Sequence, residues 1–189
     1  MPEALDLLKT RRSVKAVELT GPGPSAAEID TLLTVASRVP DHGKLTPWRF
    51  IIFEGDARRA AGDKIAAAFA AKYPTATPDQ IDKERERLTR APLVIAVVSR
   101  AGEHPKIPEW GQVLSAGAAA MSLVFAAHAL GYAANWIIEW YAYDRNVLEA
   151  IGVSAQEKLA GYVHIGRSKG PVEDRDRPAL DTIVTRYGA

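Results

Sequence analysis

The 189-residue chain contains no cysteine. Disulfides, thiolate catalysis and cysteine-ligated metals are therefore excluded, and a reducing cytoplasmic setting is the expectation. Net charge is nearly absent: 24 Lys and Arg against 23 Asp and Glu leave +1. That balance is not the footprint of a protein held to nucleic acid or to an anionic membrane surface. The N-terminal residues show no basic region followed by a long apolar run, so no signal peptide is expected. Histidine is sparse. His42, His104, His128 and His164 are scattered, and no two have the spacing of a metal site on one helix. Several signatures are missing altogether: a G-x-G-x-x-G after a strand, a G-x-x-x-x-G-K-[ST], an H-E-x-x-H and a G-x-S-x-G. Residues 113–132 form the one stretch that could suggest a membrane span. Ser115, Ser122 and His128 interrupt it and small residues dominate, so a buried helix is expected and no membrane contact.

Apolar residues make up 47% of the chain, which argues against disorder and allows a sizeable core. One domain over residues 1–189 is the expectation. A short helix is predicted over 2–10, with Ala4, Leu5 and Leu8 on one face. Gly21-Pro22-Gly23-Pro24 is a break. Ser25 and Glu28 match a capping box opening a helix that ends near Val39, before Pro40. Strands are predicted at 50–53, 93–98, 133–138 and 159–165, and Ala-rich or apolar helices at 56–72 and 112–130. The 93–98 run reads as a strand buried on both faces. Residues 79–90 read as a charged, solvated helix with few core contacts. Asp144 is the expected cap of a helix to Ala150, with Gly152 as its stop. Strands separated by helices indicate an α/β or α+β layered fold.

The chemistry-bearing signal is cationic. Residues 40–50, Pro-Asp-His-Gly-Lys-Leu-Thr-Pro-Trp-Arg-Phe, pack an anion, an imidazole, cations and a Trp into one loop ahead of a strand. Loops this dense in polar groups tend to hold ligands. Upstream, Arg11-Arg12-Ser13-Val14-Lys15 follows the first helix. Arg11, Arg12, Lys15, Arg38, Lys44, Arg49, Arg175 and Arg177 all lie beside turns. Guanidinium forks match phosphate geometry. The competing reading pairs these arginines with Asp41, Glu54, Asp174 and Asp176 on the surface. His128 and His164 lie in apolar surroundings and read as core or interface histidines.

Together, Arg11-Arg12-Ser13-Val14-Lys15, Val39-Pro40-Asp41-His42, Pro47-Trp48-Arg49-Phe50, Lys106-Ile107-Pro108-Glu109-Trp110 and Ser115-Ala116-Gly117 resemble the nitroreductase family of FMN-dependent oxidoreductases. The order of these segments is closest to its small, single-domain bacterial branch. The resemblance implies an α+β sandwich: a mostly antiparallel sheet flanked by helices, built as an intertwined homodimer with FMN at the interface. It implies that Arg11, Arg12 and Ser13 hold the phosphate and ribityl chain, and that Lys15 approaches the pyrimidine edge. Arg38 and His42 would reach the partner chain's flavin, and the backbone of Trp136, Ile137 and Ile138 would line the ring. Arg175 and Arg177 would complete the phosphate site. NADH or NADPH is the implied electron donor in a ping-pong cycle, with a small-molecule acceptor such as a nitroaromatic or quinone. No catalytic side chain is implied, because the flavin carries the chemistry. Other outcomes on the same fold are a non-catalytic flavin binder, a dehalogenase, or an enzyme of oxidative flavin breakdown. The sequence departs from the family pattern at Thr46, where Gln is common, and at Ile137-Ile138, where polar residues are common.

Overall fold

The computed structural model describes residues 3–188. In chain order the elements are α1 (Ala4–Thr10), β1 (Leu19–Thr20), α2 (Ala26–Ala36), β2 (Trp48–Glu54), α3 (Ala57–Lys72), α4 (Pro78–Arg85), β3 (Leu93–Ser99), α5 (Glu109–Ala129), β4 (Ala133–Ile137), α6 (Arg145–Ala150) and β5 (Lys158–Ser168). Pro2, where the first predicted helix begins, lies outside the described residues.

The strands form one antiparallel sheet. β3 pairs with β2 on one edge and β5 on the other, and β5 also pairs with β4 and, at its C-terminal end, with β1. β3 is buried along its whole length, as its unbroken apolar run demands. Its side chains divide by the period of two. Leu93, Ile95 and Val97 enter a cluster with α2 and α5, whereas Val94, Ala96 and Val98 enter a second cluster with α3 and α6. β5 divides the same way, sending Val163 and Ile165 toward α5 and Tyr162 toward α3. The architecture is therefore an α+β sandwich with helices on both faces of an antiparallel sheet.

Local chemistry sets the helix ends. Ser25 accepts from the Glu28 amide while the Glu28 carboxylate accepts from the Ser25 amide, so the predicted capping box is present. Asp144 caps α6 by accepting from the amides of Asn146 and Val147, and Gly152 follows with φ 88°. Two expectations change. First, α1 has no buried residue; Leu5 and Leu8 are exposed, so its apolar face is not covered within one chain. Second, the charged segment 79–90 is not one solvated helix. α4 starts at Pro78 behind a second capping box, Thr77 with Gln80, and ends at Arg85. Beyond it the chain turns inward and buries Leu88, while Glu84 in the last turn of α4 accepts from both Arg87 and the Trp140 indole, the latter at 2.7 Å.

The 113–132 stretch forms most of α5. This helix is long and apolar enough to cross a membrane by length and composition, and half of that window is buried in the fold. It lies over the sheet and against α2, burying Ala116, Ala119, Ala120, Leu123 and Ala127. A second stripe along it, Trp110, Leu114, Gly117, Ala118, Met121 and Phe125, remains exposed or half-exposed.

Candidate functional site

The first cluster begins where α1 ends. Arg11 takes up extended backbone (ψ 133°), and the chain runs on to the outer edge of β4. There Ser13 forms a parallel bridge with Ala134, and the Val14 amide donates to the Ala134 carbonyl at 3.2 Å. The C-terminal segment crosses the same place. The Arg12 Nε donates to the Glu173 carbonyl at 3.0 Å and sits 3.5 Å from Asp174, to which Arg177 also donates at 3.2 Å. Sequence reasoning brought Arg11, Arg12, Ser13, Arg175 and Arg177 to one place, and the structure does the same.

Arg11 differs from its neighbours. Among the described residues it has no carboxylate within ion-pair distance, and its only side-chain bond is a long 3.5 Å contact to Ser13 Oγ. Burial, then the guanidinium charges of Arg177, Arg12 and Arg175, lower its hold on its proton. Like charges gathered in a half-buried place raise the free energy until an anion enters. A cavity of about 330 Å³ opens here, lined by Thr10, Arg11, Arg12, His128, Tyr132 and Ser168. His128 stays neutral: burial, then the Arg11 charge, push its pKa down to about 4. Lys15 stands exposed on the same segment, at the entrance of the short 3-10 turn Ala16–Glu18.

The second cluster follows along β4. The Trp136 indole donates to the Ala160 carbonyl at 3.0 Å. It reaches across Gly161, whose φ is 147° and where a Cβ would overlap the indole. Ile137 closes the strand and Ile138 is exposed beyond it. A largely apolar cavity of about 540 Å³ lies between α5 and this strand end, lined by Val113, Leu114, Gly117, Trp136, Ile138 and Ala160.

The third cluster is the 40–48 loop. The Ser115 hydroxyl donates to the Pro40 carbonyl at 2.5 Å, fixing the loop to the start of α5. The Asp41 carboxylate accepts from the amides of Leu45 (2.9 Å) and Thr46 (3.0 Å), and Arg100 donates to the Thr46 carbonyl at 2.8 Å. Gly43 rests on Ile107, where a Cβ would overlap the Ile107 side chain. Arg38 and His42 are exposed at the surface of this region.

The third cluster does not meet the first within one chain. Ser115 lies near the start of α5 and His128 near its end, so the His42 loop and the Arg11 cavity stand about 20 Å apart along the helix axis. Arg49, counted among the cations of the loop, is not free for a ligand. It forms a bidentate pair with Glu157 instead, at 2.7 Å. Asp41, a surface partner for arginine in the competing reading, serves its own backbone. Sequence reasoning missed both the Asp41 bridge and the role of Gly161. The Asx-type turn residue in Pro-Asp-x-Gly was the only available signal for the former.

Comparison with known proteins identifies the family and the fold. The family model described as "Nitroreductase family" matches residues 8–167. A protein of Escherichia coli, "Putative NAD(P)H nitroreductase YdjA", is 36% identical over 166 residues, covering 87% of this chain and 87% of its own length. A similarly named protein of Haemophilus influenzae is 34% identical over 181 residues, covering 95% and 96%. Among solved structures, a nitroreductase-like family protein from Bacillus cereus superposes with a TM-score of 0.85 at 19% identity, covering 100% of this chain and 98% of that one. A variant of the FMN and NADPH-dependent nitroreductase NfnB from sphigopyxis sp. strain HMH superposes with a TM-score of 0.75 at 20% identity, covering both chains fully.

Proposed function

The chain belongs to the nitroreductase family of flavin oxidoreductases, and on that premise we propose that it is an FMN-dependent NAD(P)H oxidoreductase acting as a homodimer on a small acceptor such as a nitroaromatic or quinone. The observation that carries the FMN assignment is Arg11: a half-buried guanidinium among Arg12, Arg175 and Arg177, with no carboxylate partner among the described residues, facing a cavity. A phosphate monoester meets that need with charge-assisted hydrogen bonds. When bound, FMN supplies the chemistry, taking two electrons from the nicotinamide and passing them to the acceptor.

The residues then have distinct parts. Arg11, Arg12 and Ser13, with Arg175 and Arg177, hold the phosphate end. Lys15 lies toward the pyrimidine edge, where a fixed cation favours the reduced, negatively charged flavin. Trp136, Ile137 and Ile138 line the ring, and their apolar surfaces exclude water from it. Arg38 and His42 come from the second copy.

The dimer has a geometric motive. One chain holds its two polar clusters at opposite ends of α5. Two copies packed antiparallel through the exposed stripe of α5, about a two-fold axis perpendicular to the helix, bring the His42 end of each against the Arg11 end of the other. The stripe is apolar and includes small residues that admit a close approach. The uncovered Leu5 and Leu8 of α1 are further apolar surface for the same partner.

The test is direct. The purified protein, loaded with FMN and freed of excess, is expected to show the yellow flavin absorbance. NADPH or NADH is expected to bleach it anaerobically, and a nitroaromatic or quinone to restore it. A protein that retains no FMN refutes the cofactor assignment. Retained FMN that neither nicotinamide bleaches refutes the donor.

A further inference from the structure

We propose that Asp41 is a positioning residue of the site: its carboxylate holds the 41–46 turn in a strained shape that presents His42 to the flavin of the second copy. This inference rests on the FMN dimer reading given above. Inside the turn three residues have positive φ: Gly43 at 72°, Lys44 at 56° and Thr46 at 48°. Glycine adopts this region freely, but a lysine there is uncommon and a β-branched threonine is an outlier. Such a conformation persists only where its surroundings over-determine it.

The restraints can be named. Both Asp41 oxygens are used, Oδ1 by the Leu45 amide and Oδ2 by the Thr46 amide, and the Lys44 amide donates to the Asp41 carbonyl at 3.3 Å. Ser115 holds the Pro40 carbonyl, Arg100 holds the Thr46 carbonyl, and Ile107 bears on Gly43. Among the described residues Asp41 makes no salt bridge, so its charge is directed at the two amides. Lys44 and Thr46, the two non-glycine residues held at positive φ, carry exposed side chains, as His42 does, and none of the three enters either core cluster. The strain at Lys44 and Thr46 therefore places neither side chain in the core. Strain stored in an exposed polar loop points to a ligand-facing role.

A carboxylate is required at this position. Asparagine offers one acceptor oxygen and sets its NH₂ group against the second amide N–H, so one of the two bridges is broken. Glycine at position 46 attacks the same relationship from the other side, because it takes φ 48° without strain and makes the bridge dispensable.

The experiment measures FMN dissociation constants by quenching of flavin fluorescence for the parent chain, Asp41→Asn, Thr46→Gly and the double variant. Thermal unfolding of each flavin-free protein is recorded beside them. Asp41→Asn is expected to weaken FMN binding about tenfold, as for removal of one charge-assisted bond, while still unfolding cooperatively as the parent does. The double variant is expected to regain most of that affinity, and Thr46→Gly alone to bind as the parent does. Unchanged affinity in Asp41→Asn overturns the proposal, and so does a double variant with no recovery. An Asp41→Asn protein that fails to fold overturns it too, by making Asp41 a determinant of the fold. A parent chain that binds no FMN removes the cofactor reading itself, and the role of Asp41 toward flavin with it.

Discussion

Arg49 on β2 and Glu157 just before β5 meet through two hydrogen bonds of 2.7 Å each, Nε to Oε1 and Nη2 to Oε2. Glu157 also accepts from the Ser154 amide, and Arg49 donates to the Gly152 carbonyl, so one ion pair closes the turn that leads into β5. The Arg49 bonds, against the cost of burial, hold the Glu157 carboxyl down to about 2.

The pH dependence of that pair follows from its sign. A carboxylate whose folded pKa lies below its ordinary 4.5 contributes stability that is present above that value and lost as pH falls toward about 2. Arg49→Leu is expected to cost about 2 kcal/mol at neutral pH. The gap between parent and variant in denaturant titrations is expected to close as pH falls from 4.5 toward 2. A gap that stays constant over that range excludes the ion pair as its source.

His164 provides a second acid-sensitive element with a different window. It is fully buried on β5, with its Nε2–H donating to the Arg87 carbonyl, and burial pushes its pKa down to about 4. The unfolded chain takes up the proton near 6.5 and the folded chain does not. The His164 contribution to stability is therefore expected to fall by about 3 kcal/mol as pH drops from 6.5 to 4. NMR of the imidazole protons checks the cause directly: the His164 signals are expected to stay at their neutral positions through pH 5. A titration midpoint near 6.5 would show that this ring is not sealed from water.

Gly117 separates the effect of a second copy from the effect of the fold. A Cβ built there meets nothing within 4 Å of the same chain, and leucine has a better helix propensity than glycine. Gly117→Leu is expected to leave a folded chain, by circular dichroism, while blocking close approach of a partner along α5. Sedimentation is expected to show a shift from dimer to monomer with loss of bound FMN. A variant that remains a flavin-loaded dimer places the interface elsewhere.

The Arg11 cluster is open to a similar separation. Neither Arg11 nor Ser13 is part of the hydrophobic core. Arg11→Ala with Ser13→Ala is expected to lower FMN affinity by about 1.5–3 kcal/mol for each charge-assisted hydrogen bond removed, with little change in the melting temperature of the flavin-free protein. Equal flavin content in variant and parent, measured by absorbance after desalting, contradicts the assignment.

Much of this molecule was legible in its residues because local rules governed them. The Ser25–Glu28 and Asp144 caps, the β3 strand buried on both faces and the apolar α5 all follow from short-range pattern. The Arg11–Ser13 segment was legible as a run of polar and cationic residues beyond the first helix, and the fold sets it beside the C-terminal arginines. The remainder depended on distant partners. Glu84 and Arg87 read as solvated charges, since nothing nearby in sequence announces that Trp140 donates to Glu84. Arg49 read as one of several cations beside turns, with nearby surface carboxylates as competing partners, since Glu157 lies far along the chain. The Thr77–Gln80 capping box is a local signal too, masked by the charge of the segment behind it. The left-handed Thr46 had no local signal, because its conformation is imposed by Asp41, Ser115 and Arg100 together.

The distance between the two ends of α5 has a last consequence, for how this protein behaves on dilution. If neither end alone encloses the flavin, loss of the coenzyme and separation of the subunits are one coupled equilibrium. Colour and sedimentation will then fade together as the solution is thinned, and added FMN will restore both.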